Sequence, residues 1–163
     1  MVKENFLSDG WLLINKPQGI ESFGVIRKLK FRYSFKKIGF AGTLDPLASG
    51  LLLVGINKAT KKIPNIHQEK KSYEVEIRFG ASTNTLDSEG RFFKMESSSH
   101  NINERVSHLK KFIGTYQQKI PDFSAHKLNG KNFYELARDN KAIEDRYKKV
   151  SVQIGRASCR ERV

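Results

Sequence analysis

The sequence predicts an α+β domain, and three observations carry that expectation. Short apolar runs closed by turn residues outnumber the stretches with helical spacing, and the two kinds of element do not alternate strictly, which disfavours a doubly wound sheet. The chain has 163 residues, about one ordinary domain, with no repeat and no linker that would divide it. Gly39, Gly42 and Gly50 match neither the Rossmann nor the P-loop spacing, so the commonest nucleotide-binding α/β folds are excluded.

The elements follow in order. Trp11 to Asn15 is a short apolar run closed by Lys16-Pro17-Gln18-Gly19, and reads as a strand entering a turn. Ser22 is placed to cap a helix in which Phe23, Ile26 and Leu29 recur at helical spacing while Arg27, Lys28 and Lys30 fall largely elsewhere. Lys36 to Ser49 reads as a glycine- and proline-rich loop, and Leu51 to Ile56 as a buried strand. Lys58 to Ile63 is expected to make one or two helical turns that end near Pro64.

Tyr73, Val75, Ile77 and Phe79 alternate with Ser72, Glu74, Glu76 and Arg78, the clearest strand pattern in the chain. Thr83 to Gly90 reads as a turn, since neither a glycine nor a distal glutamate stands where an EF-hand needs one, and Arg91 to Met95 as a second short strand. A polar loop over Ser97 to Asn103 leads to a helix with Val106, Leu109, Phe112 and Ile113 on one stripe, stopped at Gly114. Gln118 to Lys127 is partly extended, and Asn132 with Glu135 resembles a capping box opening a helix through Ala137.

Composition narrows the partner. Thirty Lys and Arg against 17 Asp and Glu give a formal charge of +13, which points to a polyanion such as nucleic acid; a merely solvated basic surface is the plainer alternative. The N-terminus lacks a secretory pattern, and the apolar run Leu51 to Val54 is far too short to span a bilayer, so a cytoplasmic protein with no membrane association is expected. Cys159 has no internal disulfide partner. His67, His100, His108 and His126 are scattered, and no metal site is expected.

The last ten residues, Ile154 to Val163, have no hydrophobic period and match the translation of a common sequencing-adapter DNA. They are set aside, leaving residues 1–153 and a formal +11 without Arg156, Arg160, Glu161 and Arg162. The natural protein is accordingly expected to continue beyond Gln153.

Within this basic chain Asp45 is the one acidic residue between Lys36 and Gly55. Gly42 allows a tight or left-handed backbone there, and Pro46 fixes the chain immediately after the carboxylate. On composition alone, an Asx-type turn accounts for such a loop.

The order of motifs goes further. GTLDPLASG, Gly42 to Gly50, is similar to the G-[AT]-L-D-P-x-A-[ST]-G signature of the TruB-type tRNA pseudouridine synthases. LLINKPQGIES, NKATK, KSYEVEIRFGASTNTLDSEG and QKIPDFSAHKLNGKNFYELAR resemble four further blocks of that family, in the family's order. The resemblance implies a mixed, largely antiparallel sheet flanked by helices, incomplete at the C-terminus, where the family continues with the rest of the catalytic domain and a PUA RNA-binding domain.

It also implies an activity, the isomerisation of a T-loop uridine (U55) of tRNA to pseudouridine on a flipped-out nucleotide, by a monomer and without a cofactor. Asp45 would be the catalytic carboxylate, as nucleophile or as base, and Tyr73 would stack on the uracil. Lys16, Phe40, Lys61 and Lys127 would contact RNA, with Lys16 also a candidate support for the loop, as Gly42, Pro46 and Asp87 would be. Asp87 resembles the acid that pairs with an active-site arginine, a plain turn aspartate being the other view. Phe40 stands where many members have histidine, and GTYQQ at Gly114 is not the family's later G-T-Y-I-R segment, so the arginine that pairs with the catalytic carboxylate is absent and the 163-residue chain is expected to be inactive. The alternative is a non-catalytic RNA-binding module using the same basic face.

Overall fold

A computed structural model describes residues 4–5, 8–67, 69–95, 101–121, 127–128, 131–132 and 145–153. It is α+β, in two compact units, Met1–Glu74 and Val75–Val163.

In the first unit the elements run β1 (Glu4–Asn5), β2 (Gly10–Lys16), α1 (Ser22–Arg32), β3 (Tyr33–Ser34), β4 (Ile38–Ala41), β5 (Gly50–Ile56), a 3-10 turn (Asn57–Lys62) and α2 (Ile63–Ile66). β5 is the central strand of an antiparallel sheet ordered β2-β5-β4, with Leu12 opposite Val54 and Phe40 opposite the same Val54. β1 and β3 form a short parallel pair. Strand alternation turns Leu52, Val54 and Ile56 inward and leaves Leu51 outward. Val25 and Ile26 of α1 close over Leu52 and Val54, and Leu12, Ile14, Ile20, Leu29, Ile38, Phe40 and Leu44 pack around them. On the other face the 3-10 turn lies so close to Gly55 that an added Cβ would stand 3.3 Å from the Ala59 carbonyl carbon and 3.1 Å from the Trp11 ring.

Four expectations over residues 22–79 need correction. The segment 36–49 is not all loop: Ile38–Ala41 pairs with β5, whose backbone supplies the partner that a glycine-rich stretch does not advertise. Ser22 is the first helical residue rather than the cap, which is Glu21 and has no side-chain capping bond. The turns expected over Lys58–Ile63 form as the 3-10 segment ending at Lys62, but Pro64 does not end the helical path: it stands second in α2, where its missing N–H costs nothing in a first turn. The alternating run 71–79 carries no assigned strand, and Tyr73, Val75, Ile77 and Phe79 are all exposed.

The second unit contains β6 (Ala81–Thr83), β7 (Phe92–Met95), α3 (Ile102–Lys110), β8 (Gly114–Lys119), β9 (Lys127–Leu128), β10 (Lys131–Asn132) and β11 (Tyr147–Val152). β6 pairs with β7, β8 with β11 and β9 with β10, all antiparallel. Asn101 caps α3 by accepting from the Glu104 N–H. Gly114, at φ 118°, opens β8 as well as ending the turn after α3. Asn132 lies in β10; the expected helix through Ala137 and the loop residues 96–100 fall outside the described residues. Among the described residues no helix is long and apolar enough to cross a membrane.

Candidate active site

The site is built on the loop between β4 and β5. Gly42 at φ 75° and Gly50 at φ 125° let the chain leave one strand and enter the other in conformations that side-chain-bearing residues avoid. Between them the Ala48 N–H donates to the Asp45 carbonyl at 3.0 Å, closing a four-residue turn with Asp45 first and Pro46 second, positions those residues favour. The turn uses the Asp45 backbone and leaves its side chain exposed.

The residues on either side of Asp45 are tied to the turn after β2. The Ser22 hydroxyl donates to the Leu44 carbonyl and accepts from the Leu44 N–H, both at 2.9 Å. The Gly19 N–H donates to the Pro46 carbonyl at 2.8 Å. These bonds hold the backbone on both sides of Asp45, while the residue itself is exposed. Such an arrangement offers a carboxylate at a defined backbone position to an incoming ligand.

Beneath the turn lies Lys16, which is 0% exposed. Its ammonium donates to the Ile20 carbonyl at 2.7 Å and the Pro17 carbonyl at 3.0 Å, so it gathers the turn that in turn holds the loop. Of the two roles expected for Lys16, its buried position fits support of the loop and takes it away from the surface an RNA could reach. Phe40 is half-buried against the core, leaving only part of its ring for any external contact. Tyr73 is 70% exposed in the run without an assigned strand.

Lys61 is exposed on the 3-10 turn and lines a hollow with other lysines. Asp87 belongs to the second unit, where its carboxylate accepts from the Thr85 hydroxyl at 2.6 Å and the Glu89 N–H at 3.0 Å, the geometry of a turn aspartate. The Lys127 side chain lies outside the described residues. Among those described, no cluster of His, Cys, Asp or Glu could hold a metal ion.

The structure thus brings Lys16, Gly42, Asp45 and Pro46 into one assembly. It adds Ser22 and Gly19, whose parts were not foreseen. A serine before an apolar helical stripe signals a cap and nothing about a loop 22 residues away.

Comparison with known proteins agrees with the motif order. A model described as TruB family pseudouridylate synthase (N terminal domain) matches residues 30–161. A tRNA pseudouridine synthase B of Aquifex aeolicus is 39% identical over 155 residues, covering 94% of this chain and 54% of the relative. That of Ureaplasma urealyticum serovar 10 is 44% identical over 134 residues, 82% of this chain and 58% of the relative. That of Ruegeria sp. (strain TM1040) is 41% identical over 135 residues, 83% and 45% respectively. The chain spans about half the length of the curated relatives it matches.

Proposed function

The chain belongs to the TruB family of pseudouridylate synthases, and from that premise we propose that the protein, as a monomer, isomerises a uridine of the tRNA T-loop, U55, to pseudouridine with Asp45 as the catalytic carboxylate. The observation that carries the reading is the exposed Asp45, its neighbours held by the Ser22–Leu44 and Gly19–Pro46 bonds, in a chain whose residues 1–153 carry a formal +11.

The reaction conserves every atom of the nucleotide. The bond from the ribose C1′ to uracil N1 breaks, the base turns, and a bond from C1′ to C5 forms; C5 loses a proton and N1 gains one. No oxidant, reductant or co-reactant enters this balance. Asp45 serves either by attacking C1′ as N1 leaves and being displaced when C5 bonds there, or by removing a sugar proton that is returned to the sugar once the bond to C5 has formed; both routes need an ionised carboxylate beside the ribose. Tyr73 stacks on the everted uracil and helps remove the C5 proton; a stacked base contributes about 1–3 kcal/mol, which offsets its extrusion. Lys61, Lys127 and the basic face of α1 near Arg27 hold phosphates and so position the RNA without reading its sequence. Lys16, Gly42 and Pro46 keep the loop in place.

The family's paired arginine is expected after the QKIPDFSAHKLNGKNFYELAR block, so the 163-residue chain is proposed to bind RNA yet turn over poorly. Residues 154–163 stay outside the proposal, although the family match runs to 161. The test uses the reading frame extended to the relatives' length and a T-arm transcript, with pseudouridine scored by chemical mapping. Asp45→Asn abolishes conversion and leaves RNA affinity within about threefold, less than 1 kcal/mol. Retained turnover in that variant overturns the assignment, and binding with no conversion by the unsubstituted protein points to the non-catalytic module.

A further inference from the structure

A hollow of about 370 Å³ opens in the first unit where the 3-10 turn meets the chain entering β4. Lys36, Lys37, Lys58 and Lys61 converge on it, and Asp9 is the one carboxylate among the described residues lining it. The walls are knitted by Asn57, which takes the left-handed conformation at φ 53°. Its N–H donates to the Lys37 carbonyl at 2.8 Å, its side-chain oxygen accepts from the Lys37 N–H at 3.1 Å, and its amide nitrogen donates to the Ser8 carbonyl at 3.0 Å. The lysine stems therefore rise from a backbone fixed at three points.

Asp9 faces only one of the four cations closely. Its Oδ1 accepts from the Lys58 N–H at 3.0 Å, and its Oδ2 lies 3.4 Å from the Lys58 ammonium. The hydrogen bond from the Lys58 N–H, joined by the charges of Lys58 and Lys36, holds the Asp9 carboxyl below its ordinary value, so it is ionised at neutral pH. The Lys58 side chain remains 86% exposed, and so solvated a pair is weak enough for an outside anion to replace one partner.

The composition of the wall also states what it can recognise. Lysine is a point charge without the planar fork that reads a base edge, and among the described residues no aromatic lines the hollow for stacking. The chemistry suits phosphodiester groups and carries no sequence information. β4 joins this hollow to Gly42, and four strand residues at about 3.3 Å each set the two apart by roughly 13 Å. An RNA contacting both would present different nucleotides to each.

Resting on the reading that the protein acts on tRNA, we propose that this hollow is a backbone-phosphate site for RNA, distinct from the Asp45 loop, in which Asp9 holds Lys58 until a phosphate displaces it. Asp9 thereby sets the strength of the site.

The test is fluorescence anisotropy of a labelled T-arm stem-loop titrated with the reading frame extended to the relatives' length, across a range of chloride concentrations. Lys36→Gln with Lys37→Gln weakens binding about tenfold and lowers the slope of log affinity against log salt by about one to two. Asp9→Asn keeps the Oδ1 acceptor for the Lys58 N–H, removes the charge, and both tightens binding and steepens the slope. A scrambled stem-loop of equal length shows the same differences. An unchanged slope in the double variant, or weaker binding in Asp9→Asn, overturns the proposal. Inorganic phosphate competes with the RNA beyond chloride at equal ionic strength, and loses that advantage in the double variant; equal competition by the two anions in the unsubstituted protein likewise overturns the proposal. Pseudouridine formation is not read in this assay: these shifts without conversion refute the proposed reaction alone, and conversion without the shifts refutes the hollow alone.

Discussion

The Ser22 hydroxyl and the Leu44 backbone bond each other twice, as donor to the carbonyl and acceptor from the N–H, both at 2.9 Å. Through this pair the first residue of α1 fixes the residue immediately before Asp45. Ser22→Ala removes both bonds and leaves two partly buried backbone groups without their partner, a loss of about 1–3 kcal/mol. Urea melts of the extended protein should show that loss. Conversion should fall more than tenfold at saturating RNA, because a displaced Asp45 loop harms the reacting geometry rather than binding. A normal rate in a destabilised variant would show that the bonds serve the fold only.

Gly42 at φ 75° has no atom within 4 Å of where a Cβ would stand, so strain and not crowding opposes a side chain there. Gly42→Ala should cost about 1–2 kcal/mol, and Gly42→Asn less, since asparagine tolerates the left-handed region. Thermal denaturation of the two variants checks the order.

Lys16 gives its ammonium to two carbonyls inside the protein. Lys16→Met should lower the conversion rate about tenfold, about 1.4 kcal/mol in the barrier, while the salt slope of RNA binding stays unchanged. A slope lower by one would show instead that Lys16 reaches a phosphate.

Leu13 and Leu51 project from the face of the β2-β5-β4 sheet opposite α1, and both are well exposed, as are Tyr73, Val75, Ile77 and Phe79 along the chain. Apolar surface of this kind favours association, so the 163-residue chain by itself should aggregate or melt without cooperativity. A sedimentation profile with one monomeric species and a sharp melt would contradict this.

What was legible in the sequence follows from where each element's partners lie. β2 and β5 are apolar runs bounded by turn residues, and their burial is written in their own composition. β4 reads IGFA inside a glycine-rich stretch; only its pairing with β5 makes it a strand. Residues 71–79 show the converse, an ideal alternation with no assigned strand, since alternation describes a face and not the neighbour that bonds it. β8 and β11 pair across a separation of more than twenty residues, with the polar sequence GTYQQK on one side, so no periodic apolar signal marks them.

The site divides the same way. The glycines and the proline around Asp45 announce a constrained carboxylate, because those residues act through their own backbone. The bracing by Gly19 and Ser22 is tertiary, and each of those residues carries an ordinary local meaning, as turn or cap; the bonds of Lys16 to Pro17 and Ile20 are local, but its burial is not written in its residue type. The bonds that the Asp87 carboxylate accepts from Thr85 and Glu89 are local, and turn residues at that spacing announce them.

The central claim is that the Asp45 carboxylate meets the sugar of an everted T-loop nucleotide. A crystal structure of the extended protein with a T-arm stem-loop measures this directly. The account predicts a carboxylate oxygen within about 3–3.5 Å of the ribose of the target nucleotide, the distance from which attack or proton removal begins. A target ribose seated elsewhere, with Asp45 still turned to solvent, would contradict it.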